Sequence, residues 1–243
     1  VDRQTEGIAH STSLIQTSVD RVKAGLSDFA GDARDNGGQL IKAQKRLSHL
    51  EMLSNNMLDT LANSGAEIDD TPMILLAQAK AREIAAVIET AIGEGRISAE
   101  VVFDTNYVPI EGTNPQQYWT PFCEFADANV RPLLDRIMAQ EKRVIATVIS
   151  DDNGYLPTHI SERSKPQGSD PEWNAAHCRN RCNTYDETVE RAALSKNPVM
   201  VTAFRWDRGS DGSVVAKDIY VPLIVAGRRW GNFELVYVDT ERS

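Results

Sequence analysis

IYVPLIVAGRRWGNFELVYV, residues 219–238, decides how the rest of the chain is read. Two apolar runs flank Ala226, Gly227, Arg228 and Arg229. A glycine-containing polar turn between β-branched and aromatic residues predicts two antiparallel strands in a hairpin. Side chains alternate along a strand, so Phe233, Leu235 and Tyr237 share one face and Asn232 and Glu234 the other. The apolar face needs a cover, and the question for the remaining sequence is what lies on the sheet and whether it leaves a pocket.

Outward from the hairpin, the first strand extends back to Ser213, and Pro198 to Trp206 is a further run joined to it at residues 207–212 (DRGSDG). Arg143 to Ile149 is β-branched, residues 151–154 (DDNG) form a strong turn signal, and Tyr155 to His159 follows, which predicts another hairpin. The expected sheet thus has five strands, the last three forming a meander. Between the two groups, Ser161 to Asp170 reads as a polar loop and Pro171 to Ala192 as a helical or irregular excursion.

Helices are expected to cover the apolar face. Ile74, Leu75, Ala77, Ala81, Ile84, Ala85, Ile88 and Ile92 recur at three and four, with Asp70 or Thr71 before Pro72 as a start and Gly93 to Gly95 as a stop. Ser98 to Phe103 adds a helical turn or two. Phe122 to Ile137 is a second amphipathic helix, with a bend at Pro132. The intervening Asp104 to Tyr118 reads as an ordered loop.

Ahead of all this, apolar residues keep a heptad beat: Ile8, Ile15, Val22 and Phe29 at one core position, Val19, Leu26 and Ala33 at the other. The same register returns at Leu40, Ala43, Leu47, Leu50, Met57 and Leu61. About eight heptads of this pattern predict a coiled coil or helical bundle. Asn36 at a core position, followed by Gly37 and Gly38, costs about 2 kcal/mol of helix propensity, which marks a bend in one helix or a turn between two. The division expected is residues 1–64 as a helical signalling segment and 69–243 as a globular domain, joined by a Ser/Gly/Asp connector.

Bulk properties narrow the function. A hydrophobic fraction of 41% supports a real core, and a net charge of -9 argues against a general nucleic-acid binder. No run is long and apolar enough to span a bilayer. The chain opens on Val rather than Met, which reads as a fragment or processed product. Three cysteines do not make a disulfide scaffold and suit a cytoplasmic location.

The order of long helix, strand pair, helical excursion and three-stranded meander is that of PAS-like sensor domains. DTNYVPIEGTNPQQYWTPF, NGYLPTH, PQGSDPEWNAAHCRNRC with Asp186 and Thr188 downstream, and VAGRRWGNFELVY resemble the single Cache module that ends alphaproteobacterial methyl-accepting chemotaxis proteins. The resemblance covers roughly Asp69 to Val238. It implies an α+β, PAS/Cache-like fold with a five-stranded antiparallel sheet and flanking helices, and a non-catalytic role: binding a small molecule and relaying the change to a helical stalk, within a homodimer.

The candidate ligand-binding residues are Arg179, Asn180 and Arg181, whose grouped donors suit the carboxylate of an organic acid or amino acid. Tyr155, His159, Asp186, Trp206 and Asp218, on or beside sheet strands, complete the expected pocket wall. No nucleophile elbow, phosphate loop or zinc-protease helix supports catalysis. No cofactor or metal is expected. His177, Cys178 and Cys182 are one donor short of a structural zinc site unless His159 joins them, and an axial haem role for His159, His177 or Cys178 lacks an attachment motif. Cys178 and Cys182, four apart on one helix face, are a thiol sensor if Arg179 or Arg181 activates them, and otherwise small packing residues. A ligand-free dimerisation module is the rival reading.

Overall fold

The computed structural model describes residues 2–209 and 212–239, so part of the expected 207–212 connection lies outside the described residues. The chain divides into two compact units, Val1–Ser54 and Asn55–Ser243. The described residues of the first unit lie on α1 (Asp2–Ala62), one continuous helix. Gly37 and Gly38 are helical throughout, so neither a turn nor a hairpin forms there. Ile8, Ile15, Val22, Leu26, Phe29 and Leu40 stand exposed along the heptad positions of the single chain. No helix among the described residues is long and apolar enough to cross a membrane.

In the second unit, α2 (Thr71–Gly93) starts at Asp70 with Pro72 in its first turn, where a missing N–H costs nothing. Short α3 (Ala99–Val102) follows, capped by the Ser98 hydroxyl. Residues read as a loop contain a small antiparallel pair, β1 (Val108–Ile110) and β2 (Gln117–Trp119). α4 (Phe122–Phe125) passes through a π-helical turn at Ala126–Val130 into α5 (Arg131–Gln140). The irregularity therefore falls in the turn before Pro132, which itself sits harmlessly at the start of α5.

β3 (Val144–Asp151), β4 (Met200–Asp207), β5 (Ser213–Val225) and β6 (Arg228–Val238) form one antiparallel sheet in the order β3-β6-β5-β4. The fold is α+β, but the sheet has four strands, not five. Tyr155 to His159 runs beside β3 with a single bridge, Val148 to His159. Pro157 has no N–H to give a ladder, and the neighbouring backbone is used elsewhere: Leu156 N donates to Cys182 O at 3.0 Å and Arg181 N to Leu156 O at 2.6 Å. The segment is stitched to the excursion instead of the sheet.

The excursion holds α6 (Pro171–His177) and α7 (Glu187–Leu194). Cys178 lies just past the end of α6 and Cys182 in extended chain beyond it, so the two do not share a helix face as the four-residue spacing suggested.

Ile149, Phe233, Leu235, Tyr237, Ile219, Val221 and Leu223 form one sheet face, packed in a single cluster with Ile84 and Ile88 of α2 and Leu134 and Ile137 of α5. The helices between Pro72 and Ile137 thus cover the hairpin's apolar face. Gly231 lets β6 press against β3: a Cβ there would meet Ser150 O at 2.0 Å.

Candidate functional site

The other sheet face is polar and equally buried. Register places Val148 and Ser150 of β3 opposite Glu234 and Asn232 of β6, Tyr220 of β5 opposite Glu234, and Thr202 of β4 opposite Asp218. Ser150, Thr202, Asp218, Tyr220, Asn232 and Glu234 therefore project to one side, and all six are buried. Glu234 is 9% exposed and Asp218 7%. Ser150 Oγ donates to Glu234 Oε1.

A carboxylate held away from water favours its neutral form. Burial raises Glu234 well above the usual carboxylate range, and the charges of Asp218 and Asp186 push the same way against Ser150 and Arg179. Burial likewise raises Asp218, with Asp186 adding to it and the Tyr220 hydroxyl opposing. Two side-chain atoms on this face have no hydrogen-bond partner, Asp218 Oδ1 and Asn232 Nδ2. Native interiors rarely leave such atoms unanswered, so each asks for a group the chain itself does not supply.

Of the expected residues, Asp218, Asp186, Arg179 and His159 gather around this face. Asp186 is the exposed N-cap of α7, accepting from Val189 N at 2.9 Å. The Arg179 guanidinium is half-buried and acts on the Glu234 charge, but among the described residues it makes no ion pair. His159 is buried, with Nδ1 accepting from Ile160 N at 2.8 Å. Burial, reinforced by Arg163, Arg179 and Arg131, pushes its pKa down to about 3, so the ring is neutral.

Asn180, Arg181 and Tyr155 belong to a different cluster. Arg181 Nη2 donates to Asp127 Oδ2 at 3.0 Å, and Asp127 Oδ1 accepts from Thr158 Oγ1 at 2.7 Å and from Arg131. Gln117 Nε2 donates to Asn180 O at 2.7 Å. The Tyr155 hydroxyl donates to Tyr118 O at 2.8 Å and touches Cys123 Sγ at 3.0 Å. Arg181 adopts φ 63° and bridges two segments through its backbone, donating to Leu156 O and accepting from Tyr118 N at 2.7 Å. Its charge is thus spent on Asp127 rather than offered to a ligand, although Arg181 Nε has no partner. Trp206 stays apart, opposite Val214 and four residues from Thr202 along β4, about 13 Å at the usual rise.

Sequence reasoning missed Glu234, Ser150 and Asn232 as site residues and Asp127 as the partner of Arg181. The signal for the first three was alternation: a glutamate between Phe233 and Leu235 in a central strand must lie on the opposite face.

α7 connects this face to the end of α1. Arg229 Nη2 donates to Ala192 O and to Asn232 Oδ1, both at 2.7 Å, and Arg229 Nε pairs with Asp152 Oδ1 at 3.0 Å. Arg191 of α7 donates to Asn56 Oδ1 at 3.1 Å, and Asn197 to Asp59 Oδ2 at 3.1 Å. Edge strand β4 adds Ala203 N donating to Asn55 Oδ1 at 2.9 Å, and Asn63 Nδ2 donates to Val199 O at 3.1 Å. Residues 55–63 are thereby fastened to both the excursion and the sheet edge.

All three cysteines are free and buried. Burial raises Cys178 and Cys182, the opposite direction from the activation a thiol sensor requires. Among the described residues no three His, Cys, Asp or Glu side chains are grouped to hold a metal ion.

No family model matches this chain, and no curated protein matches it. Solved structures similar to it include an extracellular ligand-binding receptor from Desulfohalobium retbaense (12% identity, 71% of this chain and 26% of that one, TM-score 0.31). A domain of a sensory box/GGDEF family protein from Vibrio parahaemolyticus matches at 13% identity over 69% of this chain and 61% of that one, TM-score 0.31. The ligand-binding domain of a Pseudomonas aeruginosa amino acid chemoreceptor, in complex with GABA, matches at 16% identity over 70% and 61%, TM-score 0.29. This chain spans between 26% and 61% of those chains. At such TM-scores the function has to be argued from the residues themselves.

Proposed function

We propose that the globular part of this chain is a sensor domain that takes a small zwitterion between the sheet and the excursion, with its ammonium at Asp218 and Glu234 and its carboxylate toward Arg179. The observation that carries this reading is a buried, unpaired carboxylate oxygen, Asp218 Oδ1, beside a second buried acid. A cation between them relieves the cost of burying both charges. Arg179, unpaired among the described residues, supplies an opposite charge for the other end.

In this account α7 is the transmitter. Its Asp186 end acts on the acid pair, and Arg191 near its other end and Asn197 in the segment that follows are tied to residues 56 and 59, so a shift of α7 loads the last turns of α1. A ligand moves that equilibrium only by binding one position of α7 more tightly than another. The heptad surface of residues 1–64 pairs with a second copy and carries the change onward, as in the chemoreceptor modules that the sequence from about Asp69 to Val238 resembles, with the sensor on the cytoplasmic side.

A thermal-shift panel of amino acids, amines and organic acids at pH 7.5 tests this. Wild type is expected to gain several degrees from at least one amine-bearing compound, and Asp218→Asn to lose that gain. If no compound stabilises the protein, the reading fails and a ligand-free dimerisation module takes its place; if the gain survives Asp218→Asn, the ligand binds elsewhere and the acid-pair site fails.

A further inference from the structure

An opening lies at the end of the sheet where the β5–β6 hairpin, the turn after β3 and the loop after α3 meet. It is a cleft of about 320 Å³, with Phe103, Asp104, Phe122, Asp152, Arg228 and Trp230 among its walls. That volume is in the lower range for small-molecule sites.

The charged groups of the cleft are unequally committed. Asp151 accepts from the Tyr107 hydroxyl at 2.5 Å and from Asn153 N and Tyr155 N, both at 2.9 Å. Asp104 Oδ1 accepts from Asn106 N at 2.7 Å, and Asp152 holds Arg229. Arg228 is different: its guanidinium lies over the Phe103 ring, 4.2 Å from the centroid, and among the described residues it makes no hydrogen bond or ion pair. Stacking holds the planar fork in place while leaving its N–H groups free, which is the arrangement that grips a carboxylate with two parallel hydrogen bonds. Phe122 and Trp230, edge to face at 5.6 Å, offer an apolar wall, and the aspartates leave the rest of the rim negative.

We infer that this cleft binds a small carboxylate with a flat apolar body, its carboxylate forked onto Arg228 and any cationic end turned to the aspartates. The site is separate from the buried acid pair and stands whether or not that pair binds a ligand.

The Trp230 indole gives a local readout, because Nε1 donates to Val102 O at 2.8 Å inside the cleft wall. The probe is 4-(aminomethyl)benzoate, with 4-(aminomethyl)benzamide as its uncharged-end control, each titrated into 15N-labelled protein while the Trp230 indole resonance is followed. The acid is expected to shift that resonance with millimolar or better affinity and to bind at least tenfold more tightly than the amide. Arg228→Ala should remove that preference, and Arg228→Lys, which keeps the charge but not the fork, should restore only part of it. Arg228 is exposed at the first position of β6, so both variants should keep the wild-type melting temperature. The inference is overturned if acid and amide bind alike, if Arg228→Ala keeps the preference, or if the acid leaves the Trp230 resonance unmoved.

Discussion

Replacing both buried acids by their amides, Asp218→Asn with Glu234→Gln, should change how stability depends on pH. Both acids have folded pKa values raised by burial above their unfolded values near 4. The folded domain therefore holds protons that the unfolded chain has released, and this contribution is present at low pH and lost as pH rises through the folded values. His159 works in the other direction, its folded pKa lowered to about 3 from about 6.5, so its contribution is present above pH 6.5 and lost as pH falls from there through about 3. Above pH 7 the histidine is neutral in both states and the acids dominate, with the raised Cys178 and Cys182 thiols adding a smaller loss toward pH 8.5. Each proton held in excess is worth about 1.4 kcal/mol per pH unit. One such proton lost between pH 7 and 8.5 lowers stability by about 1–2 kcal/mol, or about 3–6 °C in melting temperature for a domain of this size. Thermal melts followed by circular dichroism should show that drop in wild type and a clearly shallower profile, set by the thiols, in the double amide. A wild-type profile flat from pH 7 to 8.5, or an equal slope in the amide variant, would refute the reasoning.

Three further outcomes test the frame around the site. Gly231→Ala drives a Cβ to within 2.0 Å of Ser150 O and should cost about 3 kcal/mol, read as a shifted denaturant midpoint, because neither backbone can yield without opening the β3–β6 pairing. Asp70→Ala removes the acceptor of the Tyr237 hydroxyl and of Lys217 Nζ, both at 2.6 Å, and should cost about 2–3 kcal/mol in urea unfolding, since the buried phenol is left unpaired. Arg181→Ala and Arg181→Gly both forfeit the Asp127 contact, but glycine accepts φ 63° freely, so the glycine variant should be the more stable by about 1 kcal/mol; the reverse order would show that backbone strain is not stored there.

Much of the scaffold was legible because it rests on local periodicity. The three-and-four spacing of α2 and the alternation in β6 each report a burial pattern directly, while the heptads of α1 mark a continuous helix whose apolar residues stand exposed in the single chain. The fifth strand failed for a reason visible only in tertiary context: Leu156 gives its backbone to Arg181 and Cys182, and Pro157 cannot complete a ladder. The site was half legible. Asp218 and Arg179 could be named because strand position and donor density are sequence properties. The Arg181 pairing was not legible because its partner Asp127 lies 54 residues away, on a π-helical turn that no spacing rule announces. Glu234 was in plain view on the polar face of the hairpin, but its value depends on Ser150 and Asp218 arriving from other strands.

The claim that a cation belongs between Asp218 and Glu234 is tested most directly by counting protons. A compound that stabilises the protein should be titrated calorimetrically at pH 7.5 in two buffers of different ionisation enthalpy. An ammonium placed there lowers both acids toward their ordinary range, so wild type should release close to one proton per ligand bound, and Asp218→Asn with Glu234→Gln should bind weakly and release none. Equal heats in the two buffers, or a release unchanged in the amide variant, would contradict the account.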